Sequence, residues 1–318
     1  MCLSPLYLVL LIKQNLIHII NKDGDFIKTF LFEQYGYYPK EFENDMFVVD
    51  NFLFKLLKID LDEEKILEME KYMLVIRENF NNMGPHVIKN KFDKYVSNLI
   101  GDKYILISIY ISNFSLKQLY RFHDLFFTPG EYVELDKILN VWKNRVENIE
   151  KNINTYINVE GVSYKDNLKK IMFCIGLATN AMQYLSDIIN DYGSRLYGVT
   201  LTHKRLKGLD SFEVLNPLNY IVDTPCKDIV MLYQNDKIDV DDLDDSIKRY
   251  NLDVKCARFI MSRIMYKCDF FDNLENKKEL GINRSLDFDI EKEMGKIKKA
   301  YSLLKSKYDI RPIDWLEG

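Results

Sequence analysis

The stretch that decides the fold is NYIVDTPCKDI, residues 219–229. Its first five residues form a short run rich in β-branched and aromatic side chains, and Thr224-Pro225 ends that run, which predicts one short strand. The sequence on both sides of it is dominated by helical periodicity. The stretch therefore predicts a strand that ends at an aspartate, Asp223, within a mainly helical region.

The first ~110 residues have a different pattern and predict mixed α and β structure. MFVV and FLFKLL flank Asp50-Asn51, a pair that tolerates the positive φ angles of a hairpin turn. A helix follows from about Asp62 to Asn79, and LIGDKYILISIYI, residues 99–111, predicts two strands about Gly101-Asp102.

From Ser115 onward the strongest periodicities are helical, with one stripe from Ile138 to Ile153, a helix over about Tyr164 to Asn190 and a last helix near Ile290 to Leu304. We therefore predict an α+β fold. A small β-rich N-terminal lobe, with one long helix, spans residues 1–110, and a larger, mainly helical lobe spans residues 111–318.

Composition excludes several classes of protein. The formal charge of −4 on 318 residues gives no basis for binding nucleic acid or anionic lipid. The five cysteines form no CxxC pair, which favours a reducing compartment over a disulfide framework or a zinc cluster. The apolar opening, Leu3 to Ile12, is shorter than the ~20 residues of a membrane span, so we predict a buried first element and no membrane span.

Standard catalytic motifs are absent: the sequence has no GxxxxGK[ST], GxGxxG, GxSxG or HExxH. The acidic run from Asp239 to Asp245 invites interpretation as a calcium loop. It lacks the glycine of an EF-hand, and Tyr250 stands where the bidentate glutamate belongs. A solvated loop or a helix start, where carboxylates suit the N-terminus, is the favoured interpretation.

Four separate motifs resemble one family. They are IGLATNAMQYL (175–185), THKRL (202–206), IVDTPCKDI (221–229) and IDWL (313–316), with a weaker fifth, WKNRVENIE (142–150). In this order they resemble aminoglycoside phosphotransferase and choline kinase relatives, and most of all the YutH-like spore coat-associated proteins. The resemblance implies a protein-kinase-like, two-lobed fold.

The resemblance also implies roles for particular residues. Active members of the wider superfamily carry H-x-D-x-x-x-x-N, in which the aspartate accepts a proton and the asparagine holds Mg²⁺. Here His203 matches, Lys204 follows, Arg205 replaces the aspartate and Asp210 stands at the asparagine position. The catalytic loop is therefore degenerate, and we assign no catalytic residue.

The resemblance implies roles for three more positions. Asp223 matches the second metal-binding aspartate, and Asp228 matches the aspartate that props the loop. Lys55 matches the strand lysine that grips the nucleotide phosphates, with Glu68 or Glu70 as its loosely fitting helix partner. Lys55 and Asp223 would thus be a vestigial nucleotide and metal site. Without the resemblance, Lys55 is an exposed strand lysine and Asp223 a residue that ends a strand.

Arg205 changes the chemistry in two ways. It removes the general base, and it places a positive charge near the Mg²⁺ position. At ~6 Å and an effective dielectric of ~20, one charge against two gives a repulsion of about 5 kcal/mol. We expect Asp223 to need a counter-charge in place of the metal. The candidates are Lys204, Arg205 and Lys55, and we predict a basic side chain within about 4 Å of Asp223, with Arg205 favoured.

These observations favour a non-catalytic, pseudokinase-like protein of the spore coat that acts through contacts with other coat proteins. The resemblance implies a location in the mother-cell cytoplasm and then the coat, and we expect no cofactor. The alternative is an active phosphotransferase that uses ATP and Mg²⁺ through Lys55, Asp210 and Asp223. A third possibility is a nucleotide sensor without turnover.

Overall fold

The computed structural model describes residues 24–81, 83–157, 164–280 and 286–317. The chain divides into two compact units, one built from residues up to Leu119 together with Leu209–Leu218, the other from Tyr120–Gly208 and Asn219 onward. The predicted lobes were 1–110 and 111–318. The prediction did not include residues 209–218 in the first unit, where the structure places them. The apolar opening, Leu3 to Ile12, lies outside the described residues.

Among its described residues before Leu116, the first unit contains one antiparallel sheet and two helices. Strands β1 and β2 form a hairpin whose turn residue Asp50 has φ 52°, as the Asp-Asn pair predicts. The strand order is β1-β2-β5-β3, with β4 also paired to β5. The elements are α1 (Gly24–Tyr35), β1 (Met46–Val49), β2 (Phe52–Ile59), α2 (Glu63–Asn79), β3 (His86–Ile88), β4 (Ser97–Leu99) and β5 (Asp102–Tyr110).

The core of this sheet is aromatic. Phe30 and Leu31 of α1 pack with Phe47, Phe54 and Leu106. The rings of Phe47 and Phe54 stack at 4.9 Å between centroids. Apolar burial on one face of the sheet therefore fixes the register of the β1–β2 hairpin.

Most of the remaining elements are helices. They are α3 (Leu116–Phe126), α4 (Leu135–Lys151), α5 (Ile153–Ile157), α6 (Tyr164–Tyr192), α7 (Ser211–Leu215), α8 (Cys226–Gln234), α9 (Val240–Arg249), α10 (Val254–Met265), α11 (Cys268–Leu280), α12 (Ile290–Tyr308) and α13 (Asp314–Glu317). A 3-10 turn covers Pro217–Asn219. The second unit also holds three strands, β6 (Thr128–Glu134), β7 (Arg195–His203) and β8 (Tyr220–Asp223).

The three strands of the second unit pair antiparallel in the order β6-β7-β8. β8 is the short strand predicted from the sequence, whereas β7 was not predicted. Residues 199–203 of β7 are all buried, so the strand lacks the alternation that reveals a half-exposed strand. In the β7–β8 register, Thr200 faces Asp223 and His203 faces Tyr220.

The helices of the second unit bury the apolar stripes that the sequence predicts. On α4, Trp142 stacks on Tyr266 with ring centroids 4.1 Å apart. The Ser262 hydroxyl of α10 donates to the carbonyl of Ala181 on α6 at 2.8 Å. A sheet near the N-terminus followed by a mostly helical remainder confirms the predicted α+β class. No helix among the described residues is both long and apolar enough to cross a membrane.

Candidate functional site

The degenerate loop begins where β7 ends. His203 is the last residue of β7 and is fully buried. Its peptide N–H donates to Asp228 Oδ1 at 3.0 Å, and its Nδ1 lies 2.6 Å from Asp228 Oδ2. Asp228, in the first turn of α8, thereby holds both the backbone and the side chain of the loop's first residue.

A second histidine, His123, completes this network, and no motif in the sequence links it to His203. His123 of α3 is buried, and its Nε2 lies 3.0 Å from Asp228 Oδ2 while its Nδ1 lies 2.6 Å from the Tyr250 hydroxyl. Because an ionised carboxylate only accepts, both imidazoles carry a proton on the nitrogen that faces Asp228. His123 is 80 residues from His203, so spacing along the chain could not reveal the pair.

The carboxylate of Asp228 stays ionised despite its burial. Burial alone raises the pKa of an aspartate, but the charge of His203 and the hydrogen bonds from both histidines hold the pKa of Asp228 below its usual range. Burial raises the pKa of Tyr250, so its hydroxyl stays protonated. The network is therefore a satisfied, buried polar cluster that fixes the end of β7 to α3, α8 and α9.

Arg205, which the resemblance places at the position of the catalytic base, is tied to α11. Its Nη2 donates to Asp272 Oδ1 at 2.7 Å, and its Nε donates to Asp272 Oδ2. The same carboxylate accepts from Arg145 Nη2 at 2.5 Å, and Arg145 also binds Glu275. These four residues, Arg205, Asp272, Arg145 and Glu275, form an ion-pair cluster that we call the Arg205 clamp.

The electrostatics of the clamp stabilise its charges. The hydrogen bond to Asp272 raises the pKa of Arg205, against the opposing effect of burial. Burial alone raises the pKa of Asp272, but the hydrogen bonds and charges of Arg205 and Arg145 together outweigh this and lower the pKa. The loop backbone is also fixed: the peptide N–H groups of Lys204 and Arg205 donate to the backbone carbonyl and side-chain oxygen of Asn219 at 2.6 and 3.0 Å.

Asp223 pairs with basic side chains, but Arg205 is not one of them. Arg263 Nη2, from α10, donates to both carboxylate oxygens of Asp223 at 3.0 and 2.9 Å. Lys227 Nζ lies 3.7 Å from Oδ2. The prediction of an Arg205–Asp223 pair was therefore wrong, because the Arg205 side chain is engaged by Asp272. Arg263 is 40 residues from Asp223 and could not be found by local spacing.

Asp223, Lys227 and Arg263 form a group that we call the Asp223 cluster. All three side chains are largely buried. Burial lowers the pKa of Lys227, although the charge of Asp223 acts in the opposite direction. Burial also acts to lower the pKa of Arg263, but the charge of Asp223 contributes to a net rise in that pKa. Asp223 Oδ1 also accepts from the peptide N–H of Thr224 at 2.7 Å. Both oxygens of this carboxylate are thus occupied by groups of the protein itself.

Lys55 and Asp210 lie in the first unit. The Lys55 ammonium lies 4.4 Å from the centroid of the Phe212 ring, a cation–π contact. Of its proposed partners, Glu70 pairs with Arg77 at 2.6 Å and Glu68 lies on the exposed side of α2. Asp210 caps α7, where its Oδ1 accepts from the peptide N–H of residue 213 at 3.1 Å.

The described residues contain no group of three His, Cys, Asp or Glu side chains placed to hold a metal ion. The acidic run at Asp239 forms the N-cap and first turn of α9 through a capping box with Asp242, as the helix-start interpretation predicts. A guanidinium at the base position cannot accept a proton near neutral pH. The second unit therefore offers no general base at Arg205.

Comparisons with solved structures find proteins that the chain resembles at low sequence identity. Two of the solved structures that the chain resembles are an aminoglycoside phosphotransferase from Alicyclobacillus acidocaldarius subsp. acidocaldarius and the amicoumacin kinase hAmiN in complex with AMP-PNP, Ca²⁺ and Ami. The first has 8% identity and a TM-score of 0.46, covering 87% of this chain and 92% of the other. The second has 10% identity and a TM-score of 0.41, covering 93% and 97%.

A search of curated proteins finds no significant match. A family profile, in contrast, matches residues 28–299, more than four fifths of the 318-residue chain. Its description is "Spore coat putative kinase YutH". The matched range contains the degenerate loop, the Asp223 cluster and the Arg205 clamp, and the chain belongs to this YutH family of spore coat proteins.

Proposed function

We propose that this protein is a non-catalytic, pseudokinase-like member of its family that acts in the spore coat through protein contacts. The observation that carries the proposal is the pairing of Asp223 with Arg263 and Lys227. A carboxylate that serves as a metal ligand must be available to the metal, and this one is already neutralised by two cations of the protein.

Mg²⁺ does not fit such a site well. A divalent ion at Asp223 would meet two positive side chains at close range, and each contributes repulsion of the kind estimated for Arg205. Displacing Arg263 would leave a buried guanidinium without its counter-charge, which costs several kcal/mol. The residues present therefore support a structural ion pair in place of metal binding, and we derive no phosphoryl-transfer step.

The first unit supports the same proposal. Lys55 lies over the ring of Phe212. Of its two candidate glutamates, Glu70 pairs with Arg77 and Glu68 is exposed. In an active kinase the lysine and its helix glutamate form an ion pair that orients the nucleotide phosphates. An active phosphotransferase using Lys55, Asp210 and Asp223 remains the competing hypothesis, and it requires a base that the Arg205 clamp does not supply.

Other coat proteins are the proposed partners, and the proposed location is the mother-cell cytoplasm followed by the coat. The proposal involves no cofactor and no nucleic acid. The net charge of −4 supports the exclusion of nucleic acid as a partner.

The proposal is tested in sporulating cells that lack the native protein. A fluorescent fusion of the whole chain, carrying Lys55→Ala or Asp210→Ala, is expected to reach the spore coat and restore coat assembly as well as wild type does. Lys58→Ala is the matched control, because Lys58 lies on the same strand and is exposed. Loss of coat assembly in Lys55→Ala and Asp210→Ala, but not in Lys58→Ala, would favour the enzyme hypothesis. An even distribution through vegetative cells would contradict the coat role.

A further inference from the structure

A short segment of the chain, residues 209–218, belongs to the first unit and brings α7 against Lys55 of β2. The Lys55 ammonium lies 4.4 Å from the centroid of the Phe212 ring of α7. Both side chains are half-buried. The ring of Phe212 therefore covers one side of the ammonium, within a single compact unit of the chain.

Hydrogen bonds hold the start of this segment against the residues that follow β5. The peptide N–H of Phe114 donates to the carbonyl of Leu209 at 2.6 Å, and the peptide N–H of Ser211 donates to the carbonyl of Ser112 at 2.9 Å. The Ser211 hydroxyl accepts from the peptide N–H of Ser112 at 3.2 Å. Because β5 pairs directly with β2, these bonds fix the start of α7 relative to the strand of Lys55.

Buried apolar side chains anchor the rest of the segment. Val214 and Leu215 of α7 are fully buried, and Pro217 in the turn that follows is buried too. Moving the segment away from β2 would return these side chains to water, which is unfavourable. Phe212 is therefore held over Lys55 by its neighbours on both sides, and its position does not depend on the ring contact alone.

The Phe212 ring is the partner of a lysine that lacks a carboxylate. Within the described part of the chain Lys55 forms no hydrogen bond and no ion pair, and Glu70, one of its candidate partners, is bound to Arg77 at 2.6 Å. The negative face of an aromatic ring attracts a cation and repels an anion. The ring therefore stabilises the ammonium and at the same time opposes the approach of an anionic group to it.

We propose that α7 is an internal cap of the first unit, in which Phe212 occupies the place where an anionic ligand would meet Lys55. The first unit thereby has its own obstacle to ligand binding. This obstacle is separate from the Asp223 cluster, which belongs to the second unit. The inference deepens the proposed function and rests on it in one respect, namely that Lys55 has no ligand in the working protein.

The test is labelling of the full chain with pyridoxal 5′-phosphate, an anionic aldehyde. An accessible lysine amine condenses with the aldehyde and releases water, and borohydride then reduces the imine to a stable secondary amine. Peptide mass spectrometry gives the labelled fraction of Lys55 relative to that of Lys58, an exposed lysine on the same strand. Phe212→Ala is expected to raise this ratio by about fivefold or more, the population change that corresponds to one partly buried cation–π contact.

Two variants control for the loss of a ring as such. Phe212→Tyr keeps a ring over Lys55 and should be labelled as wild type is. Phe92→Ala removes an exposed ring from the same unit and should leave the ratio of Lys55 to Lys58 unchanged.

A second measurement on the wild-type chain keeps the proposal testable if Phe212→Ala loosens the segment. With isotope-labelled lysine, the ring current of Phe212 should shift the NMR signal of the Lys55 ε-methylene protons upfield of that of Lys58, and Lys55→Arg assigns the signal. The proposal is overturned if wild type shows no upfield shift, if Lys55 is labelled equally in wild type and Phe212→Ala, or if Phe212→Tyr or Phe92→Ala is labelled as readily as Phe212→Ala.

These outcomes are distinguishable from failure of the proposed function. Loss of the cap would leave the pairing of Asp223 with Arg263 and the coat role as they stand, because neither depends on α7. Binding of a magnesium nucleotide by wild type, with Lys55 still protected from the aldehyde, would contradict the proposed function and leave the cap in place.

Discussion

At the residue scale, Arg205 stands where the resemblance to kinase-like proteins places an aspartate. An aspartate at this position would orient a substrate hydroxyl. The guanidinium instead reaches Asp272 of α11 and shares that carboxylate with Arg145. A planar fork that meets a carboxylate through two nitrogens is a structural contact that lysine cannot reproduce.

The clamp leads to a stability prediction. Arg205→Ala should lower the free energy of unfolding by about 1–2 kcal/mol, a range reduced because the Arg205 side chain is 36% exposed and Asp272 keeps Arg145. Urea denaturation measures the difference. Arg249→Ala is the control, because Arg249 and Asp124 form a half-exposed pair and their loss should cost under about 1 kcal/mol. Equal losses in the two variants would contradict a structural role for Arg205.

The Asp223 cluster should be more sensitive, because its members are buried. Arg263→Met leaves Asp223 with the longer contact to Lys227 and the peptide N–H of Thr224, and we expect a loss of about 3–5 kcal/mol. Adding Asp223→Asn together with Lys227→Met to the same chain should restore part of that stability, since no buried charge is then left unpaired. Thermal and urea unfolding of the two variants give the comparison. A triple variant less stable than Arg263→Met would contradict the assignment of these three residues as a structural ion-pair cluster.

At the scale of elements, ion pairs join helices of the second unit in addition to the packing of their apolar stripes. Asp244 of α9 is buried and accepts from Lys248, Lys307 and Tyr308, the last two at the end of α12. Burial opposes its ionisation, but these three hydrogen bonds hold the pKa of Asp244 down to about 2. The carboxylate therefore ties α9 to α12.

The hydrogen bonds and ion pairs of Asp244 predict that the free energy of unfolding depends on pH. A depressed pKa stabilises the folded state above the unfolded value of about 3.9, and the contribution disappears as pH falls towards about 2. Asp244→Asn should therefore be less stable than wild type by about 1–3 kcal/mol at pH 7, and the two should converge between about pH 4 and 2. Asp245→Asn, an exposed neighbour, is the control. A wild-type advantage that persists unchanged at pH 2 would contradict the assignment.

Sequence patterns predicted the elements whose apolar residues repeat with a clear period. The β1–β2 hairpin, α2, α6, α12 and the short strand β8 were found in this way. β7 was missed because burial on both faces removes its alternation, and β6 because it is largely exposed and begins with Thr128-Pro129-Gly130. Strand β7 matters most, because it positions His203.

At the scale of the whole molecule, the α+β class followed from the order of these patterns along the chain. The candidate site could be located only in part. The motifs placed His203, Arg205, Asp223 and Asp228 in one region, but the partners of those residues come from distant helices. His123, Arg263 and Asp272 reach the site only through tertiary packing, and one sequence contains no signal for such pairs.

The central claim is that the site is neutralised by the protein's own cations and does not bind a magnesium nucleotide. The most direct test is calorimetric titration of the purified chain with a non-hydrolysable ATP analogue in the presence of Mg²⁺, with Lys55→Ala and Lys58→Ala titrated in parallel. We predict no saturable heat for any of the three proteins up to millimolar nucleotide. Saturable, Mg²⁺-dependent binding to wild type and Lys58→Ala that is lost in Lys55→Ala would contradict the claim.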